Sequence, residues 1–177
     1  MKIFTLGTAD RQHFQFTKIL NKCGVQVVFD VRRSPSSPQS PQFNRDSLRL
    51  LCASQNADYI YLGPELGAGD GFEPRPHGDG TRPPADPLVR DWLASPEFQR
   101  CVGIIAGKAD KRVTCILCSE RLPGDCQRIF LSQALARKGF EIAHILDETT
   151  LWTPPAAPAG RRSRPAHRSR RHNHRPQ

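Results

Sequence analysis

Short apolar segments that recur along the first 150 residues constrain the fold more than any other feature of the chain. Each segment is nearly continuous in apolar character. Strands that are buried on both faces of a parallel sheet have this pattern, whereas strands with one solvent-facing side alternate between apolar and polar residues. We therefore predict strands over residues 2–6, 26–31, 58–62, 112–118 and 141–146.

Helical segments fall between these strands. Helices are predicted over residues 10–22, over 45–54 with Asn44 as the capping residue, and from Ser95-Pro96 through residue 105. Asp125 is suited to cap a further helix over residues 126–138. The resulting order β-α-β-α-β-α-α-β-α-β predicts one layered α/β domain over residues 1–153, with a mostly parallel five-stranded sheet flanked by helices.

Two stretches depart from this alternation. Residues 63–87 contain six Gly and six Pro, which predicts a long loop that is either functional or disordered. Residues 154–177 contain seven Arg, three His and no acidic residue, so they are predicted to form a disordered basic tail. Without the tail, 26 − 7 = 19 basic residues face 17 acidic ones, so most of the net charge of +9 belongs to the tail.

Several functional classes are disfavoured by the sequence. The first residues lack the apolar length of a secretory signal, and no apolar run approaches the roughly 20 residues of a membrane helix. Six cysteines in such a chain predict reduced thiols and a cytoplasmic protein without a membrane partner. Four of them (Cys23, Cys52, Cys101 and Cys115) fall within or beside predicted helices and strands, where cysteine commonly acts as a small buried apolar residue.

Polar residues follow the predicted strands at the end where each strand stops. Ligands of open parallel sheets bind beyond these carboxyl ends, so the residues there are candidate site residues. The candidates at the strand ends are Thr8, Asp30, Arg32, Gly63, Cys118 and Glu120.

Arg32 and Arg128 are the candidate anion-binding residues of this edge. A guanidinium can hold a phosphate or a carboxylate through two parallel hydrogen bonds. The alternative for Arg32 is an ion pair with Glu120 or Asp30 that only ties strand ends together.

Cys118 and Cys126 flank a turn and allow three interpretations. Cys126, in the first turn of a predicted helix, could be a nucleophile or a redox thiol, with Glu120 as the acid or base. The two cysteines could instead form half of a metal site, but their spacing is wider than that of a usual zinc half-site, and we predict no metal. Both could also be structural.

The assembled motifs resemble the domain-of-unknown-function 488 family, small prokaryotic α/β proteins of undetermined activity. The resemblance runs from residue 2 to about residue 146. It rests on Phe4-Thr5-Leu6-Gly7-Thr8, Val28-Phe29-Asp30-Val31-Arg32, Pro35-Ser36-Ser37, Pro41-Gln42-Phe43-Asn44, Tyr61-Leu62-Gly63-Pro64-Glu65-Leu66-Gly67, Ser95-Pro96-Glu97-Phe98, Cys118-Ser119-Glu120, Cys126-Gln127-Arg128 and His144-Ile145-Leu146.

The chain departs from the family pattern at two places. Gln127 stands where the family has histidine, and glutamine can exchange hydrogen bonds but cannot titrate. The stretch Ala68-Gly69-Asp70-Gly71 replaces the expected glycine-arginine sequence. The resemblance implies a fold and a site that includes Gln127, but no reaction.

Three functions are compatible with these observations. The first is binding or processing of a nucleotide or nucleic-acid component, a phosphate-bearing ligand, at an Arg/Glu/Cys site on the carboxyl edge of the sheet. The second is a thiol-dependent enzyme that uses Cys126 or Cys118. The third is a nucleic-acid-binding module that acts through the basic tail, with the steep salt dependence of polyanion binding. The sequence specifies no cofactor.

Overall fold

The computed structural model describes residues 1–66 and 86–154. The first half of the domain contains β1 (Lys2–Gly7), α1 (His13–Lys22), β2 (Val27–Asp30), α2 (Arg45–Ser54) and β3 (Asp58–Tyr61). The second half contains α3 (Pro87–Ala94), α4 (Pro96–Ala109), β4 (Thr114–Cys118), α5 (Arg128–Arg137), β5 (Glu141–Ile145) and β6 (Leu151–Trp152). Three single turns of 3₁₀ helix lie over Pro41–Phe43, Pro64–Leu66 and Pro123–Asp125.

The strands form one six-stranded sheet in the order β3-β2-β4-β1-β5-β6. The pairs among β1 to β5 are parallel, and β6 pairs antiparallel with β5. The predicted α/β fold and mostly parallel sheet are confirmed. The sixth strand was not predicted, because a two-residue edge strand is too short to carry a periodic signal.

Two apolar cores cover the two faces of the sheet. The helices α1 and α2 pack on one face with side chains such as Val28 and Leu117, and we call this the α1/α2 face. The helices α3, α4 and α5 pack on the other face with side chains such as Phe29 and Ile116, and we call this the α5 face. Successive side chains of each strand alternate between the faces, as expected for a sheet buried on both sides.

The helix boundaries are close to those predicted, but the starts of α1, at His13 rather than residue 10, and of α5 differ in ways that bear on function. The helix α2 begins after Asn44 and covers Arg45–Ser54, as predicted. The helix α5 begins at Arg128 rather than at residue 126, because Cys126 has extended backbone angles and follows the 3₁₀ turn. Cys126 therefore lies before the helix and not in its first turn.

Candidate functional site

The connections of the sheet change direction between β1 and β4. From β1, the chain passes over the α1/α2 face through α1 to β2, on one side of the sheet. From β4, it passes over the α5 face through α5 to β5, on the other side. Open α/β sheets bind ligands in the crevice that such a change opens at the carboxyl ends of the strands. The topology therefore places the candidate site above the ends of β1 and β4.

The loops that follow β1 and β4 pack closely together. The backbone N–H of Thr8 donates to the carbonyl of Cys118 at 2.9 Å, and that of Ala9 donates to the carbonyl of Ser119 at 2.8 Å. A Cβ atom at Gly7 would lie 1.9 Å from the carbonyl oxygen of Glu120, so only glycine fits there. The predicted residue Thr8 thus contributes a backbone contact that fixes the crevice.

Cys118 and Cys126 face each other across the turn and form a disulfide. Cys118 ends β4 and Cys126 precedes α5, with their Cα atoms 7.2 Å apart. The expectation of six reduced thiols therefore does not hold for this pair. The four other cysteines are free, and burial raises the pKa of each of their thiols.

Arg128 lies beneath this turn with 1% of its surface exposed. Its Nη1 donates to the carbonyl of Glu120, and its Nη2 donates to the carbonyl of Arg121 at 2.8 Å. Its Nε has no acceptor among the described residues, and no carboxylate there forms an ion pair with it. Burial lowers the pKa of Arg128 to about 10 because the cation is desolvated. Arg128 positions the turn, and its two Nη atoms are already committed to carbonyls.

Glu120 and Gln127 lie on either side of the cysteine pair. The carboxylate of Glu120 belongs to an exposed residue of the turn. The side-chain Nε2 of Gln127 donates to the carbonyl of Val31 at 2.6 Å, which links the start of α5 to the end of β2. The amide that stands in place of the family histidine therefore serves as a hydrogen-bond donor between two elements.

Arg32 forms the ion pair with Asp30 that the sequence suggested as an alternative. Its Nε and Nη2 donate to the two carboxylate oxygens of Asp30 at 2.9 and 2.7 Å, and both residues are buried. Tyr59 donates to the same carboxylate at 2.6 Å, and the carbonyl of Phe43 accepts from Arg32 Nη2 at 2.8 Å. A Cβ atom at Gly63 would lie 2.3 Å from the carbonyl oxygen of Arg32. Nε and Nη2 of Arg32 are therefore committed to groups within the protein.

The predicted site residues fall into two groups on opposite faces. The strands β2 and β4 are parallel neighbours as expected, with Asp30 in register with Leu117. Leu117 packs on the α1/α2 face, so Asp30 lies there too, whereas Cys118 packs on the α5 face. The structure brings together Thr8, Cys118, Glu120, Cys126, Gln127 and Arg128 in one group, and Asp30, Arg32 and Gly63 in the other.

A pocket of about 170 Å³ opens above the ends of β1, β4 and β5. Its lining comes from the loops after these three strands and from α1, and consists of Ala9, Asp10, Arg11, Gln15, Arg121, Asp147 and Glu148. This is the crevice that the topology predicts.

Arg11 is the buried cation of this pocket, with 7% of its surface exposed. Its Nε donates to the carbonyl of Gly7 at 2.8 Å and its Nη2 to that of Leu146 at 2.7 Å, so Arg11 ties the end of β1 to the end of β5. Its Nη1 makes no hydrogen bond within residues 1–66 and 86–154. Burial and then repulsion from the nearby Arg121 lower the pKa of Arg11.

Two of the three acidic residues of the pocket, Asp147 and Glu148, are engaged by the protein itself, whereas Asp10 makes no such contact among the described residues. Asp147 Oδ1 accepts three hydrogen bonds of 2.8 Å from Thr149 and Thr150, which hold the pKa of Asp147 well below its usual range. Glu148 accepts from Lys18 at 2.8 Å, and this contact lowers the pKa of its carboxyl. Arg11 Nη1 and the exposed Arg121 are therefore the cationic groups best placed to meet a ligand.

Arg11 and Arg121 were not among the residues predicted from the sequence. Arg11 lay inside the predicted helix over residues 10–22, and its contacts are 134 and 135 positions away along the chain. A signal was nevertheless present, because Arg11 and Arg121 each follow a predicted strand within a few residues.

Two searches of the described residues bear on the class of site. Within residues 1–66 and 86–154, no group of three or more His, Cys, Asp or Glu side chains could hold a metal ion. Within the same residues, no helix is both long enough and apolar enough to cross a bilayer. The predicted loop 63–87 and tail 154–177 lie largely outside the described part of the chain.

Comparison with known proteins identifies a family but no characterised relative. No curated protein and no solved structure matches the chain. The family described as "Domain of unknown function DUF488" matches residues 13–135, well over half of the chain and the span that includes Arg32, the cysteine pair and Arg128. The chain belongs to the DUF488 family.

Proposed function

We propose that this protein binds a phosphate-bearing ligand, a nucleotide or a nucleic-acid component, at the carboxyl edge of its sheet. The observation that carries the proposal is the pocket at the change of direction between β1 and β4, with the guanidinium groups of Arg11 and Arg121 in its wall. Crevices at this position are the usual ligand sites of open α/β sheets.

The two guanidinium groups of the pocket can meet an anion, although three carboxylates, those of Asp10, Asp147 and Glu148, also line it. Arg11 and Arg121 are close enough to repel each other, and both lack an ion pair with a carboxylate among the described residues. A phosphate between them would remove this repulsion and accept from Arg11 Nη1, which is free to donate. The buried position of Arg11 strengthens such a contact because water competes less for it.

In this proposal, the site residues predicted from the sequence support the phosphate site but do not bind the phosphate themselves. Arg128 holds the carbonyls of the turn that carries Arg121, and Arg32 is neutralised by Asp30. Glu120 precedes Arg121 on that turn and is exposed, so it is the candidate acid or base if the ligand is also processed.

Calorimetric titration of the full chain with nucleoside monophosphates tests the proposal, with the matching nucleosides as ligands that lack the phosphate. Arg121→Ala removes one guanidinium and leaves the backbone carbonyl that accepts from Arg128. The loss of one charge-assisted contact is expected to weaken binding about tenfold to a hundredfold.

The control variant is Arg49→Ala, which removes an exposed arginine of α2 outside the pocket. It changes the net charge by the same amount, so it reports any nonspecific effect of charge. Equal affinity for nucleosides and nucleotides, or equal loss in the two variants, would contradict the proposal.

The other two candidates from the sequence receive less support. A thiol nucleophile needs a free sulfur, whereas Cys118 and Cys126 are paired with each other. The basic tail lies outside the described residues, apart from Pro154. Deleting residues 155–177 separates the tail from the pocket, because nucleotide binding at the pocket should survive the deletion.

A further inference from the structure

The Cys118–Cys126 pair belongs to the turn that packs on Arg128, a buried cation without an ion pair to a carboxylate among the described residues. Cys118 and Cys126 are 6% and 5% exposed. Arg128 is buried beneath the same turn, without a carboxylate partner among the described residues and with Nε unpartnered. Burying a guanidinium without an ion-pair partner is costly. We therefore infer that an anion forms at this site in another state of the protein.

We propose that Cys118 and Cys126 form a redox-active couple that exchanges electrons with a low-molecular-weight thiol, and that Arg128 stabilises the thiolate of the reduced couple. This activity is separate from ligand binding in the pocket. It turns the unmatched charge of Arg128 into half of an ion pair that exists only in the reduced state.

The exchange takes place in two steps. The thiolate of a small thiol attacks Cys118 Sγ, a new sulfur–sulfur bond forms, and the Cys118–Cys126 bond breaks to release Cys126 as a thiolate. A second small thiolate attacks the small-thiol sulfur of this mixed disulfide and releases Cys118. The protein pair gains two electrons and, once both sulfurs are protonated, two protons, and the small thiol leaves as its own disulfide.

The geometry favours Cys126 as the sulfur that is released. The backbone N–H of Arg128, the first residue of α5, donates to Cys126 Sγ at 3.5 Å. A sulfur that accepts from the first N–H of a helix is stabilised as a thiolate, and a more stable thiolate is the better leaving group.

Hydrogen bonds hold the turn in addition to the disulfide. Arg128 holds the carbonyls of Glu120 and Arg121, and the loop after β1 holds those of Cys118 and Ser119. The bridge joins residues only eight positions apart, and the stabilisation from a disulfide is smallest for short loops. Because these hydrogen bonds do not involve the sulfur–sulfur bond, we expect the bridge to open and close without unfolding the domain.

Equilibration of the full chain with mixtures of reduced and oxidised glutathione tests the proposal without any phosphate ligand. After acid quenching, free thiols are alkylated under denaturing conditions and the chain is digested with trypsin. Cleavage after Arg112, Arg121 and Arg128 places Cys118 on peptide 113–121 and Cys126 on peptide 122–128. The disulfide appears as the linked pair of these peptides.

The expected result is one transition in which both cysteines become alkylated together as the ratio of reduced to oxidised glutathione rises. The alkylation of Cys115, on the same peptide as Cys118, should not change. Two results would overturn the proposal: a pair that stays linked at every ratio, as a structural disulfide would, or a pair that is never linked.

The order of attack and the effect of Arg128 have tests of their own. With oxidised glutathione, Cys126→Ser should accumulate a stable mixed disulfide on Cys118. In the reduced protein, Arg128→Met should slow alkylation of Cys126 near neutral pH about tenfold and move its pH profile to higher pH, whereas Arg128→Lys should retain most of the rate. An unchanged profile in folded Arg128→Met would contradict the assigned effect of Arg128, and absence of the mixed disulfide would contradict the order.

Discussion

Two buried arginines, one on each face of the sheet, are held in different ways. Arg32 on the α1/α2 face lies against Asp30, which accepts two of its hydrogen bonds and one more from Tyr59. Arg128 on the α5 face lies against two backbone carbonyls, and no carboxylate pairs with it among the described residues. The first arrangement is a buried ion pair, whereas the second is a buried cation held by carbonyls, with the carboxylates of Glu120 and Asp125 near enough to act on its charge but not in an ion pair with it.

This difference teaches that a guanidinium near a strand end is not by itself an anion site. Arg32 already has its anion and serves to fix the loop that holds Phe43. Arg128 makes no ion pair among the described residues, but it is covered by the turn that it supports. Arg11 lies in the pocket with a donor, Nη1, that makes no hydrogen bond within the described residues, and the topology places it between the two candidate loops and the end of β5.

The largest loss of stability is expected for Arg32→Met, and the same substitution at Arg128 provides the matched comparison. Arg32→Met leaves Asp30 fully buried and without its partner, and breaking such a pair costs about 3–5 kcal/mol. Urea unfolding followed by circular dichroism measures this loss. The double variant Asp30→Leu with Arg32→Met should recover much of the stability, and failure to recover any would contradict the role of the ion pair.

The next largest change in the free energy of unfolding is expected from protonation of His144 at acid pH. Burial, with repulsion from Arg128, lowers the pKa of His144 to about 4 in the folded protein, against about 6.5 in an unfolded chain. The unfolded state therefore binds more protons between these values, and the folded state loses up to about 3 kcal/mol as the pH falls from 6.5 to 4.

Unfolding free energies of the wild type and of His144→Gln across this range measure the effect. The difference in slope between the two proteins isolates His144 from the carboxylates that titrate in the same window. Parallel curves would show that His144 does not contribute.

Gly7 and Gly63 each lie against a backbone carbonyl, one in each of the two regions, so the same substitution can be compared at both. An added Cβ would meet the carbonyl oxygen of Glu120 in one region and that of Arg32 in the other. Each substitution to alanine is expected to cost about 1–3 kcal/mol, because backbone must move. Gly7→Ala should in addition weaken nucleotide binding, since it displaces the turn that carries Arg121, whereas Gly63→Ala should leave binding unchanged.

Arg128→Met should have the smallest effect on stability, about 1–2 kcal/mol. Two hydrogen bonds to carbonyls are lost, but removing an unpaired buried charge offsets part of that loss. The matched measurement is the urea unfolding of Arg32→Met. A loss at Arg128 as large as that at Arg32 would mean that Arg128 has a counter-charge after all.

The fold was predictable because burial on both faces marks each strand of a parallel sheet. The bounds of α2 match the local signals, but the predicted capping by the Asn44 side chain is wrong, because its Oδ1 accepts from the backbone N–H of Ser37 and not from the first turn of the helix. The start of α5 was misplaced because Pro123–Asp125 forms a separate turn, which leaves Cys126 extended.

The composition of the site was predictable only in part. The sequence predicted that β2 and β4 are neighbours. It did not predict their register, which pairs Asp30 with Leu117 and so places Asp30 on the opposite face from Cys118. A shift of one residue would reverse that placement. The position of Arg11 over the end of β5 depends on contacts more than 130 residues apart, which no local pattern specifies.

The most direct test of the account is a crystal structure of the protein with a nucleoside monophosphate. We predict that the phosphate lies between Arg11 and Arg121, with an oxygen within hydrogen-bond distance of Arg11 Nη1, and that the Arg32–Asp30 pair is unchanged. A phosphate bound to Arg32 in place of Asp30, or a nucleotide bound away from the loops after β1 and β4, would contradict it.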